Sequence, residues 1–200
     1  MKILIICCVA AVTKAAAKLK RENRDLDITI IAKDGDISYA GCGLPYYIGG
    51  FIKDRSSLIV NTPQKYAAMT GVSVLTNVEA ITVDNNNHTV IAKNLITNEE
   101  ASYAYDKLII ATGASPITPP IEGIKKQGVF SLRLPNDAVN IRDYVTNNQV
   151  KKAVIVGGGF IGLEVAENLL AQKVDVTVID FAQQIMPTVI DPEIASYVQK

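Results

Sequence analysis

Ala153-Val-Ile-Val-Gly-Gly-Gly-Phe-Ile-Gly162 decides how this chain folds. Ala153 to Val156 is a short apolar, mostly β-branched run, as in a strand buried in a parallel sheet. Gly157, Gly159 and Gly162 complete G-x-G-x-x-G. A helical pattern follows, with Ile161, Val165, Leu169 and Leu170 expected on one face. A second apolar run, Val174 to Ile179, ends at Asp180. Together these form a full β-α-β unit whose acid stands roughly 20 residues beyond the glycines. Glycines permit the tight turn and let a pyrophosphate approach the amides at the helix start. Asp180 can accept hydrogen bonds from an adenosine ribose. The alternative is a glycine-rich turn with no ligand. The complete unit favours a dinucleotide.

A second stretch lies nearer the N-terminus, Ser38-Tyr-Ala-Gly-Cys-Gly-Leu-Pro-Tyr-Tyr47. It sets Cys42 among small residues and a proline. No cysteine follows four or five residues later, so a Cys-x-x-x-x-Cys pair is not available. A reactive Cys42 therefore needs a partner from outside the chain, either a small thiol or oxygen as a sulfenic acid. The alternative is a buried loop cysteine packed as a small hydrophobe. Lys33 and Lys53 are weak hints of a lowered thiol pKa.

The chain has 200 residues, 48% hydrophobic, with 20 basic and 20 acidic side chains. That is a globular composition able to build a core. Zero net charge gives no reason to expect nucleic acid or an anionic membrane as partner. Three cysteines, two of them adjacent, do not make a secreted disulfide framework, so a reducing cytoplasm is the expected setting. A lone histidine, His88, leaves no room for a histidine-rich metal site, and no metal is expected. His88 reads as a solvated turn residue in a hairpin between 80–83 and 89–92. Residues 1–12 imitate a short signal peptide. They lead directly into a helical pattern, however, which favours a first strand. No stretch approaches the ~18 apolar residues of a transmembrane helix.

The expected order is strand 2–7, helix 11–23, strand 27–32, loop 38–50 and a helical turn near 63–70. Strands follow at 72–76, 79–84, 88–94 and 106–111, then a helix at 135–148. Pro116, Pro119 and Pro120 mark a linker.

These stretches together resemble the pyridine nucleotide-disulfide oxidoreductases, flavoproteins that pass electrons from NAD(P)H through FAD to a cysteine. The single-cysteine branch fits best, that of the coenzyme A-disulfide reductases and their NADH oxidase relatives. The resemblance also rests on Leu58-Ile-Val-Asn-Thr-Pro63, Tyr105-Asp-Lys-Leu-Ile-Ile-Ala-Thr-Gly-Ala-Ser-Pro116, Gly157-Gly-Gly-Phe-Ile-Gly-Leu-Glu164 and Gln184-Ile-Met-Pro187. It implies an α/β fold of two Rossmann-like dinucleotide-binding units, the second incomplete, with a small antiparallel β-meander. Residues 1–113 would form the FAD-binding-type domain and 114–200 the NAD(P)H-binding domain.

The resemblance also implies roles. Cys42 would be the nucleophile and redox centre, and Ser38 and Gly41 would flank a small thiol or disulfide substrate such as coenzyme A disulfide. Thr112 and Gly113 would touch FAD. Gly157, Gly159, Phe160, Ile161, Gly162, Glu164 and Asp180 would form the NAD(P)H site. Asp180 favours NADH, because a carboxylate repels a 2′-phosphate. Lys14, Lys18 and Arg21 share one helix face by spacing, which is either a solvated face or a polyphosphate contact. The resemblance places substrate contacts at Lys18 and Arg21. Ala10 stands where peroxide-reducing relatives carry a histidine, so disulfide reduction is preferred.

The sequence departs from the family at its first turn. Cys7-Cys8-Val9-Ala10-Ala11-Val12 contains no glycine, and the second strand ends Ile30-Ile31-Ala32 where a ribose-binding acid is expected. The second unit supplies two strands where about five or six are usual. The expectation is therefore the N-terminal part of a flavin-dependent NAD(P)H:disulfide oxidoreductase. Its dimerisation domain, present in the homodimeric family, would be absent. The alternative is an FAD-deficient truncated relative that binds only NAD(P)H or is inactive.

Overall fold

Short apolar runs become parallel strands here, and helices with one apolar face cover them. The structure is a computed structural model that describes residues 1–7 and 9–199. In chain order the elements are β1 (Lys2–Cys7), α1 (Val9–Glu22), β2 (Asp27–Ala32), α2 (Leu44–Ile48), α3 (Pro63–Thr70) and β3 (Ser73–Thr76). Next come β4 (Val78–Asp84), β5 (Thr89–Asn94), β6 (Glu100–Ala104), β7 (Lys107–Ala111) and α4 (Pro135–Asn147). Last are β8 (Lys152–Val156), α5 (Phe160–Ala171), β9 (Asp175–Ile179) and α6 (Pro192–Val198). The expected α/β class with a parallel sheet and an antiparallel meander is what forms.

The chain divides into two compact units, Met1–Tyr39 with Ile59–Ser115, and Ala40–Leu58 with Pro116–Lys200. Residues 40–58, read from sequence as part of the first domain, cluster with the second unit. The reason is the apolar face of α2: Leu44, Tyr47 and Ile48 join Ala138, Ile141, Leu169 and Val174 in one core.

In the first unit a four-stranded parallel sheet has the order β3-β2-β1-β7. β1 pairs with β2 on one side and β7 on the other. Both faces of β1 are covered, which is why its sequence is continuously apolar. Ile3 and Ile5 face the core that holds Val12 and Ala16 of α1 and Tyr66 of α3. Leu4 and Ile6 face the core shared with Val78, Val90 and Tyr105. The Tyr66 hydroxyl donates to the Thr13 carbonyl at 2.5 Å, tying α3 to α1. β4, β5 and β6 form the antiparallel meander. His88 is exposed, with φ 51°, in the turn between β4 and β5, where the sequence places it.

Three elements were not expected, and the first, α2, forms inside the expected loop 38–50. β6 carries too few apolar residues to read as a strand, and it forms by pairing along β5 from Thr89↔Ala104 to Lys93↔Glu100. α6 had a legible start: Asp191 is its N-cap and Pro192 its first residue.

The second unit has β8 and β9 parallel, packed against α5. Leu169 is buried and Val165 half-buried, as expected, but Ile161 and Leu170 are 58% and 56% exposed. The buried stripe of α5 is instead Ala166, Asn168 and Leu169. Among the described residues no helix is long and apolar enough to cross a membrane.

Candidate functional site

The glycine turn of the second unit is built by β8 and capped by Asp180. Gly157 has φ +114°, a region that side chains rarely adopt. Its N–H donates to the Ile179 carbonyl at 2.8 Å, which carries the β8–β9 ladder into the turn. Gly159 is the N-cap of α5, with extended backbone, and a Cβ there would meet nothing within 4 Å. Gly162 is different. A Cβ on it would stand 2.0 Å from the Gly157 carbonyl oxygen, so the close packing of helix on turn requires glycine.

Asp180 closes this turn. Its Oδ2 accepts the Gly158 N–H at 2.6 Å and its Oδ1 accepts the Ala182 N–H at 2.7 Å. These backbone donors, Ala182 first, then Gly158 and Phe181, hold the carboxyl below the usual carboxylate range. The group stays exposed, and each oxygen keeps a lone pair for a ribose hydroxyl. Behind the turn, the Met186 N–H donates to the Gly158 carbonyl at 3.0 Å, and Ile185 lies where a Gly158 side chain would go. Phe160 and Ile161 are exposed at the helix start, and the Glu164 carbonyl accepts from the buried Asn168 amide at 2.8 Å. NAD(P)H fits this turn: the Gly159 N–H and the start of α5 would face its pyrophosphate, and Asp180 would present its acceptor to the ribose.

Cys42 sits in a single 3-10 turn, Gly41–Gly43, directly before α2. It is exposed and unpaired, so the buried-loop alternative is not what forms. The turn is fixed by its neighbours within the same unit. The Ala40 N–H donates to the Leu58 carbonyl at 2.8 Å, and the Gly43 N–H to Ala40 at 2.9 Å. A Cβ on Gly43 would come 3.0 Å from Leu58 and 3.2 Å from Ile52. The Arg142 guanidinium donates to the Ile52 and Lys53 carbonyls at 3.2 and 3.0 Å and lies 4.6 Å over the Tyr47 ring. The Gln172 amide donates to the Ile48 carbonyl. Sequence reasoning passed over Arg142 and Gln172, because nothing in spacing alone joins positions this distant.

The remaining candidates lie in the first unit. Ser38 is half-buried, and its carbonyl accepts the Val60 N–H at 2.9 Å. Thr112 and Gly113 follow β7 and are exposed, Gly113 with φ +72°. Lys14, Lys18 and Arg21 are all exposed on α1, and Lys18 pairs with Glu22 at 2.5 Å.

The first turn can be compared with the second residue by residue. Lys2 pairs with Asp27 as Lys152 pairs with Asp175. Counted on from those pairs, Cys7 corresponds to Gly157, Val9 to Gly159, Val12 to Gly162 and Ala32 to Asp180. The backbones differ at these places. Cys7 is still in the ladder, paired with Ala32 and Ala111, whereas Gly157 has left its strand. Val9 is already helical with φ +44°, whereas Gly159 is extended with φ −82°. From sequence Cys7 and Cys8 are expected to be buried at the strand end, and their side chains lie outside the described residues. FAD, which the resemblance implies for this unit, does not fit a turn so altered.

Comparison with known proteins identifies the family. The chain matches the family described as pyridine nucleotide-disulphide oxidoreductase over residues 1–200. It is 38% identical over its whole length to an NADH oxidase of Methanocaldococcus jannaschii, spanning 44% of that protein. It is 36% identical over 92% of its length to a coenzyme A disulfide reductase of Staphylococcus haemolyticus, spanning 41% of it. The crystal structure of reduced Bacillus anthracis CoADR-RHD superposes with a TM-score of 0.96 at 38% identity, covering 99% of this chain and 36% of that one. The chain thus spans less than half the length of the relatives it matches, and by this match and these identities it belongs to the pyridine nucleotide-disulphide oxidoreductase family.

Proposed function

We propose that the chain serves an NAD(P)H:disulphide oxidoreductase of the coenzyme A-disulphide reductase type, with NADH as nucleotide and a small thiol disulphide as substrate. The observation that carries this reading is the glycine turn closed by Asp180, on a chain whose redox segment offers one exposed thiol. The names of the relatives, NADH oxidase and coenzyme A disulfide reductase, support both halves.

In this reading Gly157, Gly159 and Gly162 bring the pyrophosphate onto the start of α5, and Asp180 accepts a free 2′-hydroxyl. Phe160, Ile161 and Glu164 line the nucleotide at the same helix start. NAD(P)H supplies hydride chemistry when bound. Cys42 exchanges with coenzyme A disulphide. Its Sγ, as thiolate, attacks one sulfur, the substrate S–S bond breaks, and one coenzyme A thiolate leaves as the Cys42 mixed disulphide forms. By resemblance Lys18, Arg21 and Ser38 in the first unit keep the family's substrate-binding positions, and Gly41 in the second keeps the position beside Cys42. Thr112 and Gly113 keep the family's flavin-side positions. In the family the electron carrier between nucleotide and cysteine is FAD, and the altered first turn keeps that step out of the assignment for this chain. An exposed unpaired thiol suits a reducing compartment, so a cytoplasmic setting goes with the proposal.

The test combines calorimetry with mass mapping. NADH should bind more tightly than NADPH, and coenzyme A disulphide should place one adduct on Cys42 and none on a Cys42→Ser variant. Equal affinity for the two nucleotides together with labelling only at Cys7 or Cys8 would overturn the reading.

A further inference from the structure

We propose that this chain holds one dinucleotide, NADH, at the second turn, and that its first turn does not retain FAD. The inference rests on the family reading of the first unit as a dinucleotide fold.

The two units provide their own control, because their strand registers match. At the second turn, α5 approaches so closely that a Cβ on Gly162 would lie 2.0 Å from the Gly157 carbonyl oxygen. Val12 occupies the corresponding place in the first unit, with a full branched side chain. If the first turn kept the geometry of the second, the Val12 Cβ would overlap the Cys7 carbonyl. No L-residue tolerates that contact, so the first turn takes another form. Val12 is instead completely buried, packed with Ile3, Ile5, Ala16 and Ile28 in the core of its own unit.

The backbone shows what the first turn has become. The strand runs on through Cys7, and Val9 already belongs to the helix. The second unit leaves Gly157, Gly158 and Gly159 between strand and helix. Gly157 and Gly158 give their N–H groups to Ile179 and Asp180, so this turn brings a pyrophosphate against the Gly159 N–H and the first amides of α5, with no side chain in the way. Val9, a β-branched residue, holds φ +44°, where such residues are strained. With Val9 in this conformation and Val12 in the core, the first turn does not reproduce the glycine turn of the second unit.

The ribose end is altered independently. Ala32 stands at the Asp180 position, is 4% exposed, and has no side-chain acceptor. The first unit therefore lacks both the pyrophosphate cradle and the ribose acceptor, while the second has both. The chain then binds reduced nicotinamide without the carrier that would deliver its electrons to Cys42. Thiol exchange at Cys42 survives, since it needs only the incoming disulphide. NADH oxidation coupled to that exchange then needs an electron carrier other than FAD held at the first turn.

The test is the dinucleotide content and stoichiometry of the whole chain. Protein denatured after purification should release no flavin, titrated FAD should give no saturable heat, and NADH should bind with a stoichiometry near one. FAD held at one equivalent overturns the inference and leaves the proposed function standing. Failure of a folded chain to bind NADH overturns the proposed function together with the single-site claim. A Val12→Gly, Ala32→Glu double variant separates cause from coincidence. If circular dichroism shows it folded, it should gain FAD affinity by about tenfold or more. A folded double variant with no gain overturns the assignment of the loss to these two positions.

Discussion

The carboxylate of Asp180 accepts the backbone N–H of Gly158 at 2.6 Å, so the residue that ends β9 also shapes the turn that ends β8. In the proposed reading the ribose acceptor and the pyrophosphate turn are thereby one mechanical unit. Removing the acid affects both ends of the nucleotide. Asp180→Ala should weaken NADH by about tenfold to a hundredfold, the loss of a charged hydrogen bond of about 1.5–3 kcal/mol. Asp180→Asn keeps an acceptor and should fall between. Calorimetric titration reads both, and an alanine variant that binds NADH unchanged contradicts the role.

The pH dependence follows from the backbone donors on Asp180, which lower its pKa in the folded chain. A lowered folded-state pKa means that the ionised group contributes above the unfolded-state value and that its contribution is lost as pH falls through the folded value. NADH affinity should therefore stay level from neutral pH down to the ordinary carboxylate value and break only below it. Asp180→Asn should remove the break. Asp84 behaves alike in the β4–β5 turn, held low by the Asn87 side chain and then by the Asn87 and Asn86 N–H groups. A break in NADH affinity at or above the ordinary carboxylate value would count against the geometry.

How much of this was legible in the sequence depended on how local the signal was. The β-α-β unit from Ala153 to Asp180 was readable because strand, glycines and acid are all encoded within one short window. The hairpin around His88 was readable for the same reason. The face of α5 was misjudged, because periodicity does not say which side of a helix meets the sheet. Ile161 and Leu170 are apolar yet exposed, while the polar Asn168 is 2% exposed. Asn168 is buried against α2, where a Cβ on Gly49 would stand 2.1 Å from its Oδ1. No pattern in residues 160–171 anticipates a neighbour at position 49. The consequence of Val12 was half legible: its bulk in the turn was evident, but its place in the core required the fold.

Two glycines of the second turn should respond oppositely to alanine. Gly162→Ala forces a Cβ against the Gly157 carbonyl and should cost about 1–3 kcal/mol of stability, read by denaturant unfolding. Gly159→Ala meets nothing within 4 Å and its φ of −82° is open to any residue, so stability should hardly change. Its NADH affinity should still fall, because the new methyl would occupy space the pyrophosphate needs. A Gly159→Ala variant that is stable and binds NADH normally would show that the nucleotide does not approach this residue.

Arg142 offers the sharpest test of how the thiol segment is held. Its guanidinium bridges the Ile52 and Lys53 carbonyls and covers the Tyr47 ring, joining the end of the redox segment to α4. Arg142→Ala removes two charge-assisted hydrogen bonds and a cation–π contact from a half-buried site. The expected cost is about 1–3 kcal/mol. Both bonds come from a single nitrogen, Nη1, so Arg142→Lys can keep a donor to the carbonyls and should recover part of the loss, but not the stacking of a planar cation on Tyr47. Amide exchange across 44–53 should quicken in the alanine variant. Alkylation of Cys42 should quicken with it, since the Gly41–Gly43 turn runs directly into α2. Exchange in the β1–β2 ladder should not change, because those strands belong to the other compact unit. Unaltered exchange at 44–53 would mean that Asn168, Gln172 and the Leu44–Ile48 core hold the segment without Arg142.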